Sequence, residues 1–209
     1  MINWIRYKLN KRNLYDRQYS FIFDKESFED ELVSLDLETT GLNPKKDEIL
    51  SMGAVKIRGD KILINESFET FVKPTNKIAE ESIKVHHIRP CDIENAKDAK
   101  EAVLELLNFI GGRKIVGYYI KFDYEIVSRY TKSFIGCKLP NDLIELSSMY
   151  YKRKRKKSAY EFIDLKFDTI LKELDIPKLG KHDALNDAIM SAMMYLKLKN
   201  IPEYKGAYS

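Results

Sequence analysis

The sequence has little that would staple, anchor or export it. Its only two cysteines, Cys91 and Cys137, lie far apart and outside any Cys-x-x-Cys pattern. That usage excludes a disulfide framework and fits reduced thiols in the cytoplasm, the expected location. Three histidines without paired Cys/His spacing argue against a zinc site. No apolar run approaches the roughly 20 residues that cross a membrane, so no membrane partner is expected. The first residues lack the unbroken apolar core of a signal peptide. Repeats and low-complexity linkers are missing too, and 209 residues then point to one domain with an appendage.

Excess charge is small and local. The net charge of +4 is accounted for by residues 1–20, where Arg6, Lys8, Lys11, Arg12 and Arg17 face only Asp16. A polyanion would meet patches, not a uniformly positive body.

What is present centres on residues 32–42. From Leu32 to Glu38 the chain alternates as a strand does, with Val33, Leu35 and Leu37 on one face and Ser34, Asp36 and Glu38 on the other. Asp36 and Glu38 are then same-face neighbours with Cα atoms roughly 6–7 Å apart. Two carboxylates this close repel unless a cation lies between them. Hard divalent ions such as Mg²⁺ or Mn²⁺ favour such oxygens. Thr39-Thr40-Gly41 ends the strand, so the pair sits at a C-terminal strand end, where open α/β sheets place ligands. Taken singly, the pair fits solvated acids on a half-exposed strand better than a metal site.

Around this stretch, the first twenty residues fit a basic amphipathic helix that packs on the domain, touches a nucleic-acid backbone or docks a partner, packing being the expected role. Residues 24–31 are an acidic connection. Ile49–Arg58 and Lys61–Val72 read as further strands joined by the tight turn Gly59-Asp60, giving an antiparallel meander. A short helix is expected within 78–88 and a longer one over 92–110, closed by Gly111-Gly112. Lys114–Tyr118 is a short buried strand and Phe122–Tyr130 a helix. Lys138–Asp142 is a weak strand and Leu143–Tyr151 a helix. The last two helices are Leu165–Leu174 and Asp183–Leu198. This order indicates an α/β fold with a mixed sheet covered by helices.

Two further places carry chemistry. Asp123 lies where a strand gives way to a helix, either as an N-cap or as a third acid at the same sheet end. Asp183 caps the last helix, leaving His182 on the preceding loop and Asp187 about one turn inside. His182 is either a solvated loop histidine or a general base swung over a site that Asp187 helps to build.

The ordered set of Leu35-Asp36-Leu37-Glu38-Thr39-Thr40-Gly41-Leu42, Ile120-Lys121-Phe122-Asp123 and His182-Asp183-Ala184-Leu185-Asn186-Asp187-Ala188 resembles the DEDDh 3′→5′ exonucleases, the family of bacterial proofreading subunits. The resemblance covers roughly residues 31–198. It implies a ribonuclease-H-like fold, a five-stranded mixed sheet flanked by helices. It also implies two divalent ions, Mg²⁺ or Mn²⁺, about 3.5–4 Å apart. Asp36, Glu38 and Asp187 would hold the first ion, Asp36 would bridge to the second, and Asp123 would support the second through water. His182 would deprotonate the attacking water. Thr39, Thr40, Gly41 and Leu42 would surround the terminal nucleotide, with His86 contributing.

The implied function is hydrolysis from the 3′ ends of single-stranded DNA or RNA, DNA favoured, releasing nucleoside 5′-monophosphates. A polymerase partner is possible in the proofreading form, and a catalytically silent nucleic-acid-binding module is the rival reading. With no sizeable tail for tethering, a stand-alone or loosely associated enzyme is expected. The expected division is a basic N-terminal helical extension over 1–30, the exonuclease domain over 31–200 and a short tail over 201–209.

The chain departs from the family's pattern in two places. His87 stands where relatives often have Gly, and Tyr118-Tyr119 where they commonly have His-Asn or His-His. Both tyrosines either stack on a base or fill core, and core is the expected role. The run Lys152–Lys157, flanked by Tyr150, Tyr151 and Tyr160, is either a solvated helix end or a nucleic-acid contact.

Overall fold

A computed structural model describes residues 2–76, 78, 80–155, 162–180 and 183–202. Five strands form one mixed sheet: β1 (Glu31–Thr39), β2 (Ile49–Arg58), β3 (Lys61–Phe71), β4 (Lys114–Gly117) and β5 (Leu143–Glu145). Their spatial order is β3-β2-β1-β4-β5. The first three strands pair antiparallel, while β4 and β5 add parallel to β1. Parallel neighbours need crossovers, and here helices supply them.

Among the described residues the α-helices are α1 (Ile2–Asn13), α2 (Glu80–His86), α3 (Ala99–Ile110), α4 (Lys121–Ile135), α5 (Leu146–Lys154), α6 (Phe167–Glu173) and α7 (Ala184–Lys199). The alternation of β1 divides the core in two. Val33, Leu35 and Leu37 join α3, α4 and the N-terminal segment on one face. The other face packs Val55, Ile57 and Val116 against α5, α6 and α7.

The N-terminal segment is built into the first of these cores. Leu14, Tyr19, Ile22 and Phe23 are buried there. Asn10 exchanges two hydrogen bonds with the backbone of Lys138. The Tyr7 hydroxyl donates to the Phe23 carbonyl at 2.7 Å, closing the segment on itself.

Several boundaries differ from expectation; the N-terminal helix ends at Asn13, with a 3₁₀ turn over Arg17–Phe23, and the helix expected from Leu143 begins at Leu146. The helix expected over 92–110 begins at Ala99, because Asp98 caps it by accepting from the Glu101 amide; a 3₁₀ turn occupies Pro90–Ile93. The helix beginning near Phe122 runs on to Ile135, where Gly136 closes it at φ 87°. The last strand is Leu143–Glu145, not Lys138–Asp142. Asn141 is buried with its amide donating to the Gly111 and Arg113 carbonyls, which holds 138–142 as a loop. Among the described residues, no helix is long and apolar enough to cross a membrane.

Candidate active site

Asp36 and Glu38 point from β1 toward α7, because the apolar alternates Leu35 and Leu37 are claimed by the opposite core. Asp183 starts α7 by accepting from the Asn186 amide at 2.9 Å. Asp187 then lies one turn inside that helix. Gly53 on β2 pairs in register with Asp36. A Cβ there would stand 2.1 Å from the backbone of Ala184 and Leu185. The bare glycine therefore lets the start of α7 press onto the sheet and brings Asp187 over β1. Carboxylate oxygens of Asp36, Glu38 and Asp187 all lie within 4.8 Å of one another.

Asp123 completes the group from the other side. It sits in the first turn of α4 and is 5% exposed. The helix N-cap is Ile120, so Asp123 is not a cap; the backbone dipoles of its own amide and of Leu37 act to lower its carboxyl pKa. Leu37 lies between Asp36 and Glu38, so the fourth acid stands close to the strand that carries the first two.

The electrostatics are those of a cluster short of positive charge. Burial pushes Asp36 well above the usual carboxylate range, and Asp123, Asp187 and Glu38 push further. Glu38 is raised to about 7 by burial, then by Asp187 and Asp183. Asp187 is raised to about 6 by burial, then by Asp183 and Asp168. Asp123 is raised as well, chiefly by burial, then by Glu38 and Glu145, against the lowering effect of its own amide and that of Leu37. Three hard oxygen donors at one point, each holding its proton too tightly, suit a divalent cation.

A match to the family profile RNase_T, described as exonuclease, covers residues 33–195. The chain belongs to the RNase_T exonuclease family. Among relatives of this exonuclease, DNA polymerase III subunit epsilon of Aquifex aeolicus is 28% identical over 169 residues, covering 79% of each chain. The PolC-type DNA polymerase III of Thermotoga maritima is 30% identical over 165 residues, 79% of this chain. The exonuclease chain spans only 12% of that relative's length. The fold is shared with cell-death related nuclease 4, at TM-score 0.69, 20% identity and coverage of 83% of this chain and 65% of that one. E. coli exonuclease I in complex with an oligonucleotide gives TM-score 0.69 at 16% identity, covering 82% and 41%.

The loop after β1 is tightly tied. The Thr39 hydroxyl donates to the Gly41 carbonyl at 2.7 Å, and Thr40 accepts from the Glu48 amide at 2.9 Å. From α2, Ser82 donates to the Thr40 carbonyl at 2.7 Å. Leu42 is left 90% exposed at the tip. His86 is buried, and its Nδ1 accepts from the Ile88 amide at 3.0 Å, turning the chain out of α2. His87 adopts φ 58°, the left-handed region that glycine occupies most easily.

The general-base candidate His182 lies outside the described residues, as do Lys156, Lys157 and Tyr160. Within the remainder of the basic run, Lys154 pairs with Glu173 and Arg153 donates to the Met149 and Leu198 carbonyls. Part of the run is thus structural.

Two site residues escaped sequence reasoning. Gly53 carried a signal, a glycine inside a strand, which marks close backbone approach. Glu145, at the end of β5, accepts from the Tyr119 amide at 2.9 Å and from the Ser147 amide and hydroxyl. Nothing in the sequence marks it, because its segment reads as helix.

Proposed function

We propose that this exonuclease is metal-dependent and removes nucleoside 5′-monophosphates from the 3′ ends of single-stranded nucleic acid, with DNA favoured. The observation that carries the reading is the meeting of Asp36, Glu38 and Asp187 at one point, with Asp123 adjoining.

In this reading Asp36, Glu38 and Asp187 would hold one divalent ion, and Asp123 would help to hold a second. When bound, Mg²⁺ or Mn²⁺ neutralises the phosphate, acidifies the attacking water and stabilises the leaving 3′-oxygen. His182 takes the proton from that water, since a neutral imidazole is a good base near pH 7. Thr39, Thr40, Gly41 and Leu42 form a wall for the terminal nucleotide, the exposed Leu42 meeting the base. His86 supports that wall by fixing the end of α2. Occupation of all four acid positions speaks against a silent binding module.

Similarity to DNA polymerase III subunits supports proofreading beside a polymerase as the biological setting. The unit doing the chemistry would be residues 31–200, with 1–30 as an extension fixed to it and 201–209 as a tail.

The test is degradation of matched end-labelled DNA and RNA strands with Mg²⁺ or Mn²⁺. Mononucleotide release from free 3′ ends, abolished by chelation, is expected. Release unaffected by chelation, or from 5′ ends only, would refute the reading. His182→Ala should lower kcat far more than it raises KM.

A further inference from the structure

We propose that Tyr119 is a stacking platform for a base of the bound strand, on the nucleotide that stays behind when the terminal one is released. The proposal rests on the acid cluster being the hydrolytic centre. Its own evidence lies in the turn between β4 and α4.

Tyr119 does not fill core, contrary to expectation. It is 54% exposed, four residues before Asp123. Its backbone sits at φ 51°, a region bulky side chains avoid. Two neighbours hold it there: its amide donates to Glu145, and its carbonyl accepts from the Phe122 amide at 3.0 Å. Bulky residues kept in such a conformation cluster at functional sites.

Its ring ends an aromatic ladder. Tyr119 lies on Tyr118 with centroids 4.3 Å apart and planes tilted by 44°. Tyr118 meets Phe167 at 5.0 Å and anchors itself by donating to the Leu165 carbonyl at 2.8 Å. Two rings are thus fixed beneath a third that stays open to solvent. A surface of this kind, beside a phosphodiester-cleaving centre, suits a nucleobase, because every base offers a π face.

The sheet order suggests which base. β1 bears Asp36 and Glu38, its terminal loop leads to β2, and Tyr119 follows β4 on the other side of β1. β4 thus sets Tyr119 on the opposite side of β1 from β2. A strand crossing the acids with its last nucleotide at the wall presents its next one to Tyr119.

The test compares steady-state kinetics of wild type, Tyr119→Phe and Tyr119→Asn on single strands. Loss of one stacked base should raise KM about 5- to 100-fold in Tyr119→Asn, while Tyr119→Phe stays near wild type. On a strand abasic at the second position from the 3′ end, wild type and Tyr119→Asn should converge. Asn tolerates positive φ, so that variant should melt no lower than wild type. If wild type degrades strands and Tyr119→Asn keeps its KM, or differs equally on the abasic strand, the stacking role is overturned. If wild type degrades nothing with any metal, the reading of the acid cluster itself falls.

Discussion

Replacing Asp187 by Asn is expected to stabilise the metal-free protein even as it destroys hydrolysis. Asp187 is raised from 3.8 to about 6 in the folded chain, which corresponds to about 3 kcal/mol of disfavoured ionisation. Partial exposure to solvent reduces this to on the order of 1–2 kcal/mol. The sign follows from proton linkage. Native Asp187 keeps its proton between pH 4 and about 6, where the unfolded chain has lost it. Wild-type stability therefore falls as pH rises through that window. Glu38, raised to about 7, extends the fall toward neutrality. Urea denaturation in chelator should show Asp187→Asn more stable than wild type at pH 8, and nearly equal at pH 4. The gain amounts to a melting shift of roughly 2–8 °C. Adding Mn²⁺ at pH 8 should reverse the order, since only wild type gains binding energy. An Asn variant equal to or weaker than wild type at pH 8 without metal would refute the account of crowded charge.

Other expectations are more local. Gly53→Ala would drive a Cβ into the backbone of Ala184 and Leu185; a loss of roughly 3 kcal/mol is expected, with Mn²⁺ affinity falling alongside. Calorimetric titration measures the second effect, and unchanged affinity would separate β2 from the site. Ile22→Ala should cost roughly 2–4 kcal/mol in denaturation, because this N-terminal side chain is 1% exposed in the core shared with α3 and α4. A negligible cost would make the segment a loose appendage.

Much of this architecture was legible because the sheet's faces are chemically distinct. Alternation in Leu32–Glu38 put the acids on one face, and the structure places Leu35 and Leu37 in the opposite core. The meander was readable from Gly59-Asp60, and α7 from its Asp183 cap. Short parallel strands were not readable. β5 has three residues and no alternation to speak of, and tertiary pairing with β4 decides it. Tyr119 was misjudged because an exposed aromatic and a buried one look alike until the backbone turn is known. Glu145 stayed invisible because its role depends on three donors brought to it by the fold.

The claim on which the rest depends is that Asp36, Glu38, Asp123 and Asp187 hold divalent metal. Crystals grown with Mn²⁺ and measured at its absorption edge test it without reference to activity. The account predicts anomalous density bounded by Asp36, Glu38 and Asp187, with oxygen distances of about 2.0–2.3 Å, and a second feature toward Asp123. Mn²⁺ density elsewhere with none at these carboxylates would contradict it.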